Sequence, residues 1–293
     1  MLIITALTFK EALRKKILIA AIVLTILFLI VYGLGLHYIA QDMAVHKAGF
    51  MPGDGSFSTG QEQAMQEISK RAFFLLGIYF ASSIVSLLAI FSSIGSVSSE
   101  MENGMLHAIV AKPIRRRDII LGKFLGYTLM LMFYSAVLFV SILLLNHYIF
   151  GSRLDGVAGA IGLFTLQPLI RLAVSLAGST RLSTLANGII VFMLYTVGII
   201  GGMLEQVGAM PFVNSTTLVR TGIITSLMMP ADSIYRMIVT IITGTTQNPL
   251  DAVIIGPFGA ISQPSNAMMI YAVVYLIAFL VISVRVFSGR DIG

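Results

Sequence analysis

Five stretches without a single Asp, Glu, Lys or Arg constrain this chain more than anything else in it: residues 17–41, 72–99, 124–152, 182–204 and 252–284. Each reaches or exceeds the roughly 20 residues that carry an α-helix across a bilayer. A sixth, 156–180, is interrupted only by Arg171. Helix is the reading because an open sheet edge in lipid would leave its amides and carbonyls without partners. Composition points the same way. The chain is 57% hydrophobic and 11% charged, where soluble domains carry about 25% charge, and its mean hydropathy is +0.94. The expected fold is an all-α integral membrane protein, one domain over 1–293 with six transmembrane helices at about 17–40, 72–98, 119–149, 157–179, 182–204 and 262–286.

Lys and Arg set the orientation. With the N-terminus inside, 12 of the 19 basic residues fall on the cytoplasmic side and Arg171 lies within a span. Basic residues concentrate on cytoplasmic loops, so both termini are expected inside. The net charge of +6 then reflects loops facing anionic lipid rather than nucleic acid. The first apolar run is too long for a signal-peptide core and no small-x-small cleavage site follows it. Before it, "TFKEALRKK" places Phe9, Leu13 and Ile17 at i, i+4 and i+8, with Lys10, Arg14 and Lys15 on other faces. The favoured reading is a short amphipathic helix at 5–16 lying in the inner interface; the alternative is an early start of the first span with a basic flank.

Two segments face the other side. In 42–71, a turn-rich "GFMPGDGSFSTG" leads into "QEQAMQEISKR", which has helical composition and extends the second span outward. Residues 205–261 are apolar in pieces, but Arg220, Pro230, Asp232 and Arg236 interrupt them. They read as short helices on, or dipping into, the outer interface, one of them begun by "PADSIYR" with Asp232 as a good N-cap residue and Tyr235 as an interface side chain. Seven or eight spans remain the alternative.

The charged stretch between the second and third spans is "SSEMENGMLHAIVAKPIRRRDIILGK". Ser99 and Glu102 form the S-x-x-E pattern of a capping box. Met101, Met105 and Ala108 then recur on one helical face. Pro113 ends any helix at or before Lys112, because proline disfavours helix in its predecessor. Residues 99–111 are too few and too polar to cross. They are expected as a short helix standing out from the inner surface, carrying apolar side chains suited to a partner's groove.

These residues resemble a family. Glu100 and Gly104 followed by "KPIRRRDIILGKFLG" are similar to the corresponding loop of ABC transporter permeases of the type-2 exporter class. "TFKEALRKKIL" resembles that family's elbow helix, "STRLSTLANGI" its turn between spans four and five, and "FSGRDIG" its cytoplasmic end. The closest flavour is the subgroup containing the membrane subunit of the nitrous-oxide reductase maturation exporter. The resemblance implies a permease in a bacterial or archaeal plasma membrane, a homodimer working with two copies of an ATP-binding cassette subunit. Segment 99–111 would be the coupling helix docked in a cleft of that subunit. It implies Glu100, Met101, Glu102, Gly104, Met105, Pro113, Arg115 and Arg116 as ATPase-coupling residues, and Phe9, Lys10 and Arg14 as elbow residues. ATP and Mg would be bound by the partner; this chain would hold no cofactor and catalyse no covalent chemistry. The arginines are equally readable as lipid-headgroup anchors, and the glutamates as solvated caps. Met105 and Arg115 stand where the family pattern often has a small or hydroxyl residue and a Ser.

The remaining residues exclude more than they assign. No G-x-x-x-x-G-K-[ST] occurs, so an ATPase must come from another chain. There is no Cys, and the four scattered His lack metal-site spacing. Arg171 is a translocation-path or helix-interface candidate, since charges inside spans are costly and often functional; a structural bond to Gln167 or to a carbonyl freed by Pro168 is the other reading. Gly198 and Gly202 form a G-x-x-x-G that permits close helix approach, within one subunit or across a dimer. Two other functions stay open at this level. A membrane-embedded enzyme or scaffold would have its active surface in 205–251. An ion-coupled carrier would need acidic residues inside its spans, and these spans have none away from their ends.

Overall fold

The computed structural model describes residues 1–49, 59–103, 115–151, 156–243 and 255–289. Among them the regular elements are all helical: α1 Leu2–Arg14, α2 Lys16–Gly49, α3 Thr59–Ser93, α4 Ser98–Glu102, α5 Arg116–Phe150, α6 Val157–Ser179, α7 Thr184–Ala209, α8 Thr216–Ser226, α9 Ala231–Thr243 and α10 Asn266–Ser288, with a 3-10 turn at Gly256–Phe258. Six are long and apolar enough to cross a membrane: α2, α3 continued through α4, α5, α6, α7 and α10. The spans alternate in direction between the end that carries α1, here the elbow end, and the far end.

Local chemistry explains the breaks. Lys15 takes an extended backbone between α1 and α2, so the amphipathic helix and the first span are separate helices. The uncharged run 252–284 is longer than its helix. Gly256, Pro257 and Pro264 keep its first part irregular, and Ser265 caps α10 by accepting from the Met268 amide at 3.4 Å. Between α3 and α4 the capping-box expectation is corrected. The chain is still coiled when it reaches Ser99, so the Ser99 and Met101 amides bond back to the Gly95 and Val97 carbonyls. The Ser99 hydroxyl donates to the Gly95 carbonyl, and the N-cap of α4 is Val97, with no side-chain bond.

Close approach occurs where side chains vanish. On α1, Thr5 and Thr8 press against α5 at Gly126, where a Cβ would lie 2.7 Å from the Thr8 Cβ. Tyr32 of α2 lies over Gly77 of α3. Its hydroxyl accepts from Asn146 at 2.9 Å and donates to the Phe73 carbonyl at 3.3 Å, which joins the first three spans. Among the described residues three apolar cores fill the bundle: one around Leu75, Phe139 and Phe164 toward the far end, one around Tyr127, Leu131 and Leu172 toward the elbow, and a smaller one around Ile90, Val191 and Met229.

The segment after α7 dips into the bundle. After a turn at 210–215, α8 retraces α7. Gly222 lies against the backbone of Glu205, and Gly201 against Thr225 and Ser226. The chain turns again at 227–230, with Met229 against Gly198, and α9 climbs back until Ile241 meets Gly156. Gly198 lies 11 residues before the end of α7, so the hairpin tip sits about 16 Å below that end at 1.5 Å per residue, near mid-depth. A chain reversal there must find hydrogen bonds without water. The tip carbonyls of Leu227, Met228 and Ala231 accept from Tyr271 at 3.0 Å, Tyr275 at 2.6 Å and Gln167 at 3.2 Å. Asp232 lies in the first turn of α9 rather than at its cap.

Candidate functional site

Two polar clusters stand out against the apolar bundle. The first is at the elbow end, around the break between α3 and α4. A helix that ends leaves carbonyls unpaired, and here two lysines take them. Lys15 Nζ donates to the Ser92 carbonyl at 3.2 Å and to the Tyr127 hydroxyl at 2.6 Å. Lys123 Nζ donates to the Ser96 carbonyl and pairs with Glu100 at 2.6 Å. Two residues on, Glu102 reaches α7. Its two oxygens accept from the Thr184 amide at 3.1 Å and hydroxyl at 3.2 Å, where the α7 N-terminus favours an anion. Ser98 adds a 2.9 Å bond to the same hydroxyl, and Asn187 donates to the Ile94 and Ser175 carbonyls at 2.8 and 2.9 Å. The cluster therefore ties the elbow, the stem of the 99–111 segment, α5 and α7 into one unit. Desolvation lowers the pKa of Lys15, but Tyr127 and Glu11 more than offset it and hold the ammonium above its usual value.

The glutamates of the loop thus face inward, to Lys123 and Thr184. Met101 packs against the elbow-end core. Arg115 is exposed and precedes α5 as its N-cap; Arg116 donates to the Ser288 carbonyl at 3.5 Å, reaching α10. Gly104, Met105 and Pro113, and most of 99–111, lie outside the described residues. On the elbow, Phe9 packs against the same core, while Lys10 and Arg14 are exposed.

The second cluster is the hairpin itself. Arg236 of α9 is 1% exposed, 2.5 Å from Glu205 of α7 and 3.2 Å from Asp232 one turn back. Glu205 also accepts from the Ser262 hydroxyl at 2.8 Å, and Gln206 from the Ile261 amide at 2.9 Å. These bonds hold the loop before α10. Buried charge is tolerated only when paired and hydrogen-bonded, and this set balances with Arg171 included. Arg171 is 4% exposed. Its guanidinium carbon lies 5.1 Å from the centre of the Tyr195 ring, a cation–π geometry. Its Nε and Nη1 have no hydrogen-bond partner. They border a cavity of about 20 Å³ shared with Tyr79, Ser82, Ser83 and Asp232, room for about one water. Gln167 does not bond Arg171; it accepts from Ser82 at 2.6 Å and donates to the hairpin tip. Gly198 and Gly202 receive Met229 and Asp232, so both face the hairpin of their own subunit.

Sequence reasoning missed Lys123, Thr184, Glu205 and Arg236 as site residues. Lys123 stood in the quoted "LGK", and the lone charges of 205–236 were visible as interruptions. Which of them would meet depends on the fold-back of α8. A family model described as ABC-2 family transporter protein matches residues 2–292. No curated protein matches the chain.

Proposed function

The chain belongs to the ABC-2 transporter family, and from that premise we propose that it is the membrane-spanning permease of an ATP-driven exporter, working as a homodimer with two separate ATP-binding cassette subunits. The loop motif favours the subgroup containing the nitrous-oxide reductase maturation exporter's membrane subunit. Both termini and the 99–111 segment face the cytoplasm. ATP and Mg belong to the partner, whose closure pushes the elbow and the coupling segment; the permease responds by exchanging conformations.

The observation that carries this reading is the double tether at the stem of that segment. Glu100 holds α5 through Lys123, and Glu102 holds the start of α7 through Thr184. A push on 99–111 therefore reaches two spans through charge-assisted bonds, which are stronger than neutral ones. The outward side of Met101, with Met105, offers an adaptable apolar contact to the partner. Arg171, beside a small polar cavity at mid-depth, lines the translocation path.

Co-purification tests the proposal. The wild-type chain should bring down an ATP-binding cassette subunit and stimulate its ATPase in membranes. M101D/M105D should lose the association; undiminished binding would refute docking through this segment.

A further inference from the structure

The first span does not close against its neighbours. Only 17% of the apolar window of α2 is buried, against 67% for α3. Between α1, α2 and α5 lies a cavity of about 340 Å³. Its floor is Phe9 and Leu13 of α1; one wall runs from Leu18 to Leu29 on α2, the other from Met130 to Ser141 on α5. Twelve residues of helix on each side, eleven steps at 1.5 Å, make a slot about 16 Å long.

The few polar groups in the slot are satisfied. The Thr25 and Tyr134 hydroxyls bond each other, Tyr134 also reaches the Ala21 carbonyl at 3.2 Å, and Ser141 donates to the Val137 carbonyl at 2.8 Å. With its polar groups already bonded the slot offers a water no partners, and an apolar cavity of this kind stays dry. Left empty, it forfeits the dispersion contacts of its lining. At this depth in a membrane the available filler is a fatty acyl chain.

The slot itself is uncharged, but the helix that floors it carries basic residues on its neighbouring face. Lys10 and Arg14 directly follow Phe9 and Leu13 in α1, are exposed, and border an open depression beside the elbow. Lys15 in the same depression is engaged by Tyr127 and by Glu11 at 3.4 Å. That leaves Lys10 and Arg14 as cations for an anionic group at the interface.

We propose that this groove binds one anionic phospholipid, with an acyl chain between α2 and α5 and its phosphate against Lys10 and Arg14. The lipid is then a structural part of the joint between the elbow and the first span, the joint through which the elbow moves.

The test places the full chain in nanodiscs of equimolar phosphatidylcholine and phosphatidylglycerol, extracts it into mild detergent, and measures lipid retained per chain by mass spectrometry. Phosphatidylglycerol should be retained in preference. K10Q/R14Q should weaken its binding about thirtyfold and so lower its retention, and V137F/S141F, which fills the slot from its α5 wall, should remove retained lipid of both kinds. Lys10 and Arg14 are exposed, so the first variant leaves the core intact and decides the matter even if the second does not fold. Unchanged phosphatidylglycerol retention in K10Q/R14Q overturns the proposal. So does a disulfide between two copies formed through I22C and V137C, which would put a second copy in the groove.

Discussion

The cluster under the elbow and the cluster at the hairpin are built from the same acidic and basic chemistry, in unequal surroundings. Under the elbow, the side chains of Lys123 and Glu100 are 6% and 18% exposed, and Glu102 is open to solvent. At the hairpin, those of Arg236 and Glu205 are 1% and 3% exposed. In the first set the exposed Glu102–Thr184 bonds can be traded for water, although Lys123 itself is buried. The second has no such exchange available. Its value lies in fixing where a chain reversal sits inside the bundle, and the cost of breaking it is the cost of a stranded charge.

The largest expected effect therefore belongs to Arg236→Met. It strands Glu205 and Asp232 and should cost about 3–5 kcal/mol of stability, read as a large fall in thermal unfolding temperature. Removing one carboxylate with it, as E205Q/R236M, leaves Asp232 to balance the buried Arg171 and should recover much of that loss. A fall of under about 1 kcal/mol for Arg236→Met, smaller than the 3–5 kcal/mol of a buried broken pair, would mean that water reaches the hairpin, and the contrast would fail.

Tyr275→Phe comes next. It removes the donor to the Met228 carbonyl and leaves that group unpaired, at a cost of about 1–3 kcal/mol. The loss should appear as faster amide exchange confined to the tip, with the elbow end unaffected.

Glu102→Ala should be milder for stability, about 1 kcal/mol as for a lost helix cap, and more severe for transport. ATPase association should persist while ATP-driven transport falls, because α7 loses its tether. Equal loss of both would assign Glu102 to docking instead.

The smallest effect is at Lys15. Its pKa is raised above 10.5, so the folded state holds the proton more tightly than the unfolded chain. The stabilisation is complete below that ordinary value and fades as pH rises through the folded one. The difference in unfolding temperature between wild type and Lys15→Met should thus be constant at neutral pH and shrink in strong alkali.

The sequence carried the spans because uncharged runs report lipid contact directly, and it carried the elbow because an amphipathic face precedes the first run. Segment 99–111 was legible through its charges and its Pro113. The partners of Glu100 and Glu102 did not follow, since Lys123 and Thr184 are 23 and 82 residues away in sequence. Ser99 and Glu102 matched a local pattern that the continuing helix overrode. The hairpin was half legible: Pro230, Asp232 and Arg236 spoke against a span, but it is the small faces of Gly201, Gly208 and Gly222 that let α8 fold back along α7. Nothing local reveals that these glycines answer one another.

The two clusters are expected toward opposite sides of the membrane, the elbow cluster inside and the hairpin cluster outside. The chain has no Cys, so single cysteines can be placed at the exposed Asn103 beside the elbow cluster and at the exposed Phe212 above the hairpin. In sealed cells treated with a membrane-impermeant maleimide, N103C should stay unlabelled until the membrane is opened and F212C should label at once. Labelling of N103C from outside would contradict the topology, and with it the route from the ATPase to the spans.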